Sequence, residues 1–467
     1  MRTTTTIGGF NGEIVVPGDD TYDTHREVWN AIVDRRPTVI ARCTSADDVA
    51  AAIRFGRQTD LEIAVKCGGH SMLGLSVPEG GLMIDLTPMS EVRVDPTTRR
   101  AWVQGGSLLR NLDRAAEPFG LATTAGNVSH TGVGGLTLGG GMGWLARQFG
   151  LACDNVAAYT LVNADGETVR AAADENPDLY WGLRGGGGNF GVVTEFEFKL
   201  HPTSGRALSV DLYFEPSEAV GALRVWRELL ATAPRQATLT SETVTAGDAA
   251  FLPDRLHGQP LVTMGYIWVG DMDAARGYLP TMREIGQPVA ERIDEMSYVG
   301  LQSRSDANNY HGKRQYSKGH YLPMLTNAAI EAYISRGVAD GAHPDWSRIP
   351  SGEFQAHGGA IADIGYEEAA FAHRETLVEW ISGAAWVDAS EDDERIAAAR
   401  AYGAALEPFA SGMYVNMIAE EGEAGVLRAY DEDKLTQLRQ LKRRFDPDNV
   451  FHLNHNIQPS QSRPDRA

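Results

Sequence analysis

Apolar and polar positions over the first 200 residues follow two periods. The runs 38–42, 62–66, 82–86, 91–95 and 101–104 are short and β-rich, each the length of one strand. Helical spacing interrupts them. Ser45 stands where an N-cap would, with Asp48 three residues on and Val49, Ala52 and Ile53 following, which predicts a capping box opening a helix. Ser107 similarly precedes Leu109, Leu112 and Ala116, and Gly120 closes that helix. Asp165 and Gly166 form a hairpin signal between 159–163 and 167–170. Asn176 and Pro177 open a short helix carrying Leu179, Trp181 and Leu183. The run 192–200 alternates strictly, with Thr194, Phe196, Phe198 and Leu200 on one face and Glu195, Glu197 and Lys199 on the other.

Beyond Pro202 and Gly205 the pattern changes to longer elements. Strands are predicted over 207–214, 261–269 and 352–363, and helices over 217–232, 273–285 and 366–380. A last helix, 433–445, puts Leu435, Leu438, Leu441 and Phe445 on one stripe until Asp446 and Pro447 stop it. The fold class is α+β, with domains 1–205 and 206–404 and a segment 405–467. The last eight or so residues have the composition of a disordered end.

Glycine sharpens this division: 51 glycines occur in 467 residues, and they crowd between positions 68 and 191. The formal net charge of −20 argues against nucleic acid or an anionic membrane, because phosphate binding needs clustered Lys and Arg. No apolar run approaches the roughly 18 residues of a membrane span, and the first residues have no signal-peptide pattern, so the expected location is the cytoplasm. Cys43, Cys67 and Cys153 are too few for a disulfide framework. Cys67 and His70 could be half a zinc site, but no second pair sits at ligand spacing, so no metal is expected.

The glycine blocks carry the chemistry. Residues 186–191 satisfy G-x-G-x-x-G, yet a helix precedes them and a strand follows, the reverse of a Rossmann turn. No G-K-[ST] ends any block, so a P-loop is excluded. Residues 66–74 and 129–143 remain as flat, side-chain-poor surfaces. Their backbone N–H groups suit an anion, and their flatness suits a large planar cofactor.

Cys67 to Ser71, Ser129 to Gly135, Gly139 to Trp144, Gly150 to Asn155, Asn176 to Trp181, Gly185 to Val193, Tyr414 to Asn416 and Phe445 to Asn456 follow one another in an order that resembles a known family. It is the FAD-linked oxidases of the vanillyl-alcohol-oxidase/PCMH superfamily, in their berberine-bridge-enzyme-like branch. The resemblance implies a PCMH-type FAD-binding domain of two α+β subdomains. It also implies a substrate domain whose antiparallel sheet is covered by helices, and a tail returning to the first domain. His70 falls where the family bonds covalently to the flavin 8α-methyl. Val128 falls where many members place a second linking cysteine, so attachment through His70 alone is expected; Cys153 reads as a packed core thiol. Cofactor contacts map onto Lys66, Cys67, Gly68, Gly69, Ser71, Thr131, Gly132, Gly135, Gly141, Trp144, Gly191, Val193, Asn454 and Asn456. Thr131 takes the position that tunes oxygen access.

The implied reaction is hydride transfer from a small organic substrate, of secondary-metabolite type, to FAD, with O2 as final acceptor. A dehydrogenase avoiding O2, a flavin that oxygenates, and a flavin-binding protein without turnover are the rivals. The base is less defined. Family members often end a Tyr-x-Asn-Tyr stretch in a phenol; here Tyr414, Val415 and Asn416 are followed by Met417. Tyr414 itself is retained as a candidate. Strand alternation puts Glu353, Gln355 and His357 on one face, with His357 as base and Gln355 orienting substrate. A solvent-facing edge strand explains the same pattern equally well. Tyr310, His311 and Tyr316 are weaker candidates. The assembly expected is a monomer or homodimer.

Overall fold

The computed structural model describes residues 5–338, 343 and 345–460, so the end expected to be disordered lies mostly outside the described residues. A four-stranded sheet runs in the order Glu13–Val15, Val39–Arg42, Leu82–Asp85, Ile63–Lys66, its last three strands parallel. Parallel neighbours need a crossover, and helix Ala46–Gln58 supplies one. Ser45 caps that helix by accepting from Asp48 N at 3.2 Å. The Asp48 carboxylate accepts from Asn11 N and from the Thr44 N–H and hydroxyl.

A five-stranded antiparallel sheet follows, in the order Val92–Asp95, Arg100–Gln104, Val192–Lys199, Val156–Val162, Thr168–Ala172. The predicted alternation buries Phe196 and Phe198 beside Tyr159. The predicted hairpin forms with Gly166 at φ +77°.

The third large sheet has seven antiparallel strands: Ala290–Ser297, Arg206–Phe214, Pro260–Val269, Ala237–Thr245, Ser351–Ala356, Val378–Trp386, Arg314–Leu322. One face buries Phe354 and Trp380 against Trp226, Tyr333 and Tyr402 of helices Pro216–Leu229, Asn327–Ser335 and Asp392–Leu406. The opposite face turns toward the first half of the chain. Two expectations fail here. No helix spans 366–380: Tyr366–Glu368 is one 3₁₀ turn, and Val378–Trp386 is a strand held between two others. The strand expected over 352–363 stops at Ala356, because Gly358 and Gly359 turn at φ +77° and +57°.

Helix Glu432–Phe445 is capped by Asp431, which accepts from Lys434 N at 2.9 Å. Its stripe of Leu435, Leu438 and Leu441 joins the same core as Leu183 and Phe190, each leucine contributing about 1.5–3 kcal/mol. The tail is thereby fastened to the cofactor half. Among the described residues, no helix is long and apolar enough to cross a membrane.

Candidate active site

Glycine brings the two cofactor loops together. A Cβ on Gly68 would strike the backbone of Gly132, and a Cβ on Gly132 would strike Gly68 and the Cys67 sulfur. Both positions must therefore lack a side chain. Leu109 N donates to Thr131 O at 2.9 Å, fixing the second loop on helix Leu109–Ala116.

His70 projects from this junction. Its ring stacks on Trp29, with centroids 4.8 Å apart and planes 16° from parallel. Its Nε2 lies 2.8 Å from Nδ1 of His130, while its Nδ1 has only the Thr131 hydroxyl, at 3.5 Å. Burial, reinforced by His130 and His311, lowers the His70 pKa to about 3, so the imidazole is neutral at physiological pH. His311 approaches edge-on at 5.6 Å. Donor atoms of His70, His130 and His311 all lie within 4.8 Å of one another. Cys67 stands outside that group, its thiol donating to Ser107 O and raised by burial to about 11.

In the seven-stranded sheet, strand register assembles a polar face. Asn127 Nδ2, from the chain just before the second glycine loop, donates to Gln355 Oε1 at 2.8 Å and so ties the two sides together. Gln355 is paired with Thr240 on one side and Glu379 on the other. One step along, Glu242 and Glu353 are direct cross-strand partners. Glu242 is exposed and Glu353 is half-buried. Burial, with Asp211 adding repulsion, raises Glu242 to about 7. Burial, then Glu242 and Glu379, raises Glu353 to about 8. Arg304 opposes both rises; it donates to Asp211 at 2.8 Å.

The other expected residues divide into two groups. Asn454 donates to Gly188 O and Phe451 O, at 3.2 and 2.9 Å, joining the tail to the third glycine loop. Asn454, His455 and Asn456 line a cavity of about 270 Å³ beside Leu73 and Leu75. Gly135 faces open space. The remainder pack or tie. Lys66 Nζ donates to His25 O and Glu27 O, and Ser71 Oγ accepts from Leu75 N. Gly141 and Gly191 meet Ala152 and the Val162 carbonyl where a Cβ would stand, and Val193 is buried in the core. The Trp144 ring packs with Tyr298 and Ile267, and its carbonyl accepts from Thr238 Oγ1. Gly69 takes φ +67°, which a side chain there would resist.

Two catalytic candidates occupy places unlike those expected. Tyr414 is buried: its hydroxyl accepts from Gly141 N and Asn416 Nδ2, and burial raises its pKa. It holds the glycine loop. His357 lies past the strand end, fully enclosed, with its carbonyl accepting from Arg147 and its Nε2 3.5 Å from Glu379. It borders a different cavity, of about 310 Å³, with Arg147 and Arg235. Of the weaker candidates, Tyr310 is exposed and the Tyr316 hydroxyl donates to Glu420. Glu242, Asn127, Trp29 and His130 were not singled out from sequence. His130 sat inside a motif read for its glycines, and Glu242 needs the register of Ala237–Thr245, a strand the pattern did not announce. Cys153 is packed in the core as expected, its thiol pushed up by burial.

The residues fit FAD. The amide oxygens of Asn454 and Asn456 are buried without partners, and Gly135 and Gly188 are open where a flat group could lie. A neutral His70 with a free Nδ1 completes the set.

Two family models match the sequence. A model described as FAD binding domain matches residues 37–172, and one described as berberine and berberine like matches 413–458. An FAD-linked oxidoreductase of Dictyostelium discoideum is 31% identical over 444 residues, covering 93% of this chain and 91% of the relative. The crystal structure of 6-hydroxy-D-nicotine oxidase from Arthrobacter nicotinovorans superposes with a TM-score of 0.84 at 28% identity, covering 98% of this chain and all of that one (100%). Glucooligosaccharide oxidase from Acremonium strictum shares the fold at 24% identity and TM-score 0.84, covering 97% of this chain and 98% of that one; its structure is described as holding a 6-S-cysteinyl, 8α-N1-histidyl FAD.

Proposed function

Because the chain belongs to the FAD-linked oxidoreductases of the berberine-bridge-like family, we propose that it is an oxidase whose FAD is attached through His70 alone. Its substrate is a small organic molecule, of secondary-metabolite type, bound between the His70 loop and the face carrying Glu242 and Glu353. Bound FAD supplies the hydride acceptor, and dioxygen the final one. The observation that carries this reading is the cross-strand pair Glu242 and Glu353, on the sheet face whose Gln355 is bonded to Asn127 just before the second glycine loop.

Two carboxylates paired across neighbouring strands resist ionising together, so near neutral pH the pair retains a proton. Once ionised, Glu353 can accept a proton from a substrate hydroxyl or amine as the adjacent carbon loses hydride. Glu379 Oε1 extends the face with a further acceptor, and Gln355 Nε2 with a donor. Such a surface suits a substrate rich in hydrogen-bond donors. Single attachment is supported by Val128, which has no thiol to offer. The small Thr131 side chain beside His70 leaves room for dioxygen.

Anaerobic reduction by a screened substrate, followed by admission of air, tests the oxidase assignment. Reoxidation within seconds with hydrogen peroxide as product is expected. A flavin that stays bleached in air contradicts it.

A further inference from the structure

Where the cofactor half meets the sheet domain, the chain forms a second cavity of about 310 Å³. Its lining includes Arg147, Arg235, His357, Gly358, Gly359 and Thr376, and no carboxylate. Arg147 comes from helix Ala146–Phe149, just after the glycine block that ends at Trp144, and the others belong to the sheet domain. Gly359 must lack a side chain, because a Cβ there would strike the Arg147 carbonyl.

Arg147 is only 4% exposed, and its partners are all neutral. Nε donates to Ala237 O at 3.0 Å, Nη1 to His357 O, and Nη2 to Ala233 O at 3.1 Å. A guanidinium carries five N–H groups, so one on each terminal nitrogen is left over. The carbonyls fix the group in place but bring no net charge, and a buried charge is ordinarily met by an opposite one. At the same seam, Arg184 and Arg374 share Asp154 in that way. Burial, aided by Arg235 and opposed by Tyr278, lowers the Arg147 pKa, yet a guanidinium stays charged at neutral pH. Arg235 adds a second cation, itself bonded to Asp363 at 2.5 and 3.0 Å. Thr376 is buried, and its hydroxyl has no partner among the described residues.

We propose that this cavity is a binding site for a small oxyanion, a carboxylate or phosphate group, held by Arg147 together with Arg235 and Thr376. The spare N–H groups sit on the two terminal nitrogens of Arg147, whose fork matches the paired oxygens of such an anion. A volume of about 310 Å³ stands at the low end of ligand pockets, which fits a small ion. The anion is gripped from both halves, so its presence fastens the half with the glycine loops to the sheet domain. His357 joins the site to the polar face: its carbonyl accepts from Arg147, and its Nε2 lies 3.5 Å from Glu379, the strand partner of Gln355. A chain of formal net charge −20 repels anions as a whole, so retention of one is a property of this local cluster. An arginine that served only to tie three carbonyls together would be indifferent to anions.

The test uses the full chain with its flavin, titrated in a calorimeter with malonate and, separately, with inorganic phosphate, chloride holding the ionic strength constant. Saturable binding of one anion per chain is expected, with a melting temperature that rises as the site fills. The anion that binds more tightly tells a carboxylate ligand from a phosphate one. Thr376→Val and Arg235→Gln should each weaken binding about tenfold or more, the usual effect of losing one hydrogen bond to a charged group. Arg147→Lys keeps the charge but loses the fork, and should weaken it further. Arg224→Gln, at an exposed arginine elsewhere on helix Pro216–Leu229, should bind as wild type does. The absence of saturable binding by either anion overturns the proposal. So does binding that Thr376→Val and Arg235→Gln leave at wild-type strength, or that Arg224→Gln weakens equally.

Discussion

The two walls of the cleft are built on different principles. The His70 wall is made by backbone meeting backbone: Gly68 lies against Gly132, and no side chain can enter. The opposite wall is made by register: Glu242 faces Glu353, and Thr240, Gln355 and Glu379 line up only because three strands pair at one offset. The first wall is intolerant of an added atom at Gly68 and Gly132, whereas the second tolerates new side chains but depends on which charges stand in line. Substitutions on the glycine wall should therefore cost folding and flavin content. Substitutions on the sheet wall should cost turnover.

The largest expected effect tests that division on the sheet. Glu353→Gln should lower kcat/KM by about 10²–10⁴-fold, as removal of a general base does, with flavin content and thermal stability preserved. Loss of flavin in this variant would erase the contrast. Next comes the tie between the walls. Asp154 is buried between Arg184 of the cofactor half and Arg374 of the sheet domain, at 2.9 and 2.8 Å. Burial alone would raise its pKa, but Arg374 and Arg184 overcome this and hold the carboxyl below its ordinary range. Asp154→Asn leaves two buried guanidinium groups short of a counter-charge, and should cost about 3–5 kcal/mol in denaturant unfolding. An unchanged midpoint would remove Asp154 as the tie.

Gly132→Ala sharpens the other wall. The added methyl meets backbone and the Cys67 sulfur, and overpacking of this kind costs about 1–3 kcal/mol. Flavin incorporation should fall with stability, while any enzyme that does load should turn over at a near-normal rate.

A smaller effect is pH. Glu242 and Glu353 titrate upward, to about 7 and about 8, and the base works only when ionised. Anaerobic flavin reduction should therefore accelerate from pH 6 to 9, with an inflection between 7 and 8 that Glu353→Gln removes. The same shifts act on stability in the opposite sense. The folded chain holds protons that unfolded carboxylates release near their ordinary pKa, so this contribution declines as pH rises toward 8. A flat rate profile for wild type would contradict the assignment of Glu353.

The contrast also explains what the sequence made legible. On the glycine wall the requirement is local. Gly68, His70 and Gly132 sit within short motifs, and their meeting follows from the absence of side chains. The tail was equally readable, since the stripe of Leu435, Leu438 and Leu441 is a helical signal with a stop at Pro447. The sheet wall is not local. Its strands Ala237–Thr245 and Val378–Trp386 are interior strands of a seven-stranded sheet, and their pairing, not their propensity, sets the structure. Residues 366–380 read as a helix because alternation in 378–386 begins only near their end. His357 shared a period with Glu353 and Gln355, but the strand stops at Ala356 before the turn at Gly358 and Gly359, and His357 is enclosed. Tyr414 stood in a family motif, and only its bond to Gly141 reveals a structural role.

The covalent anchor on the glycine wall is the claim on which the rest depends. Mass spectrometry of peptides from acid-denatured protein tests it most directly. The account predicts one FAD on the peptide that holds both Cys67 and His70, placed on His70 and not Cys67 by fragmentation, none on any peptide containing Cys153, and a colourless acid pellet from His70→Ala. An unmodified His70 peptide from flavin-loaded wild type, or flavin linked elsewhere in the chain, would contradict it.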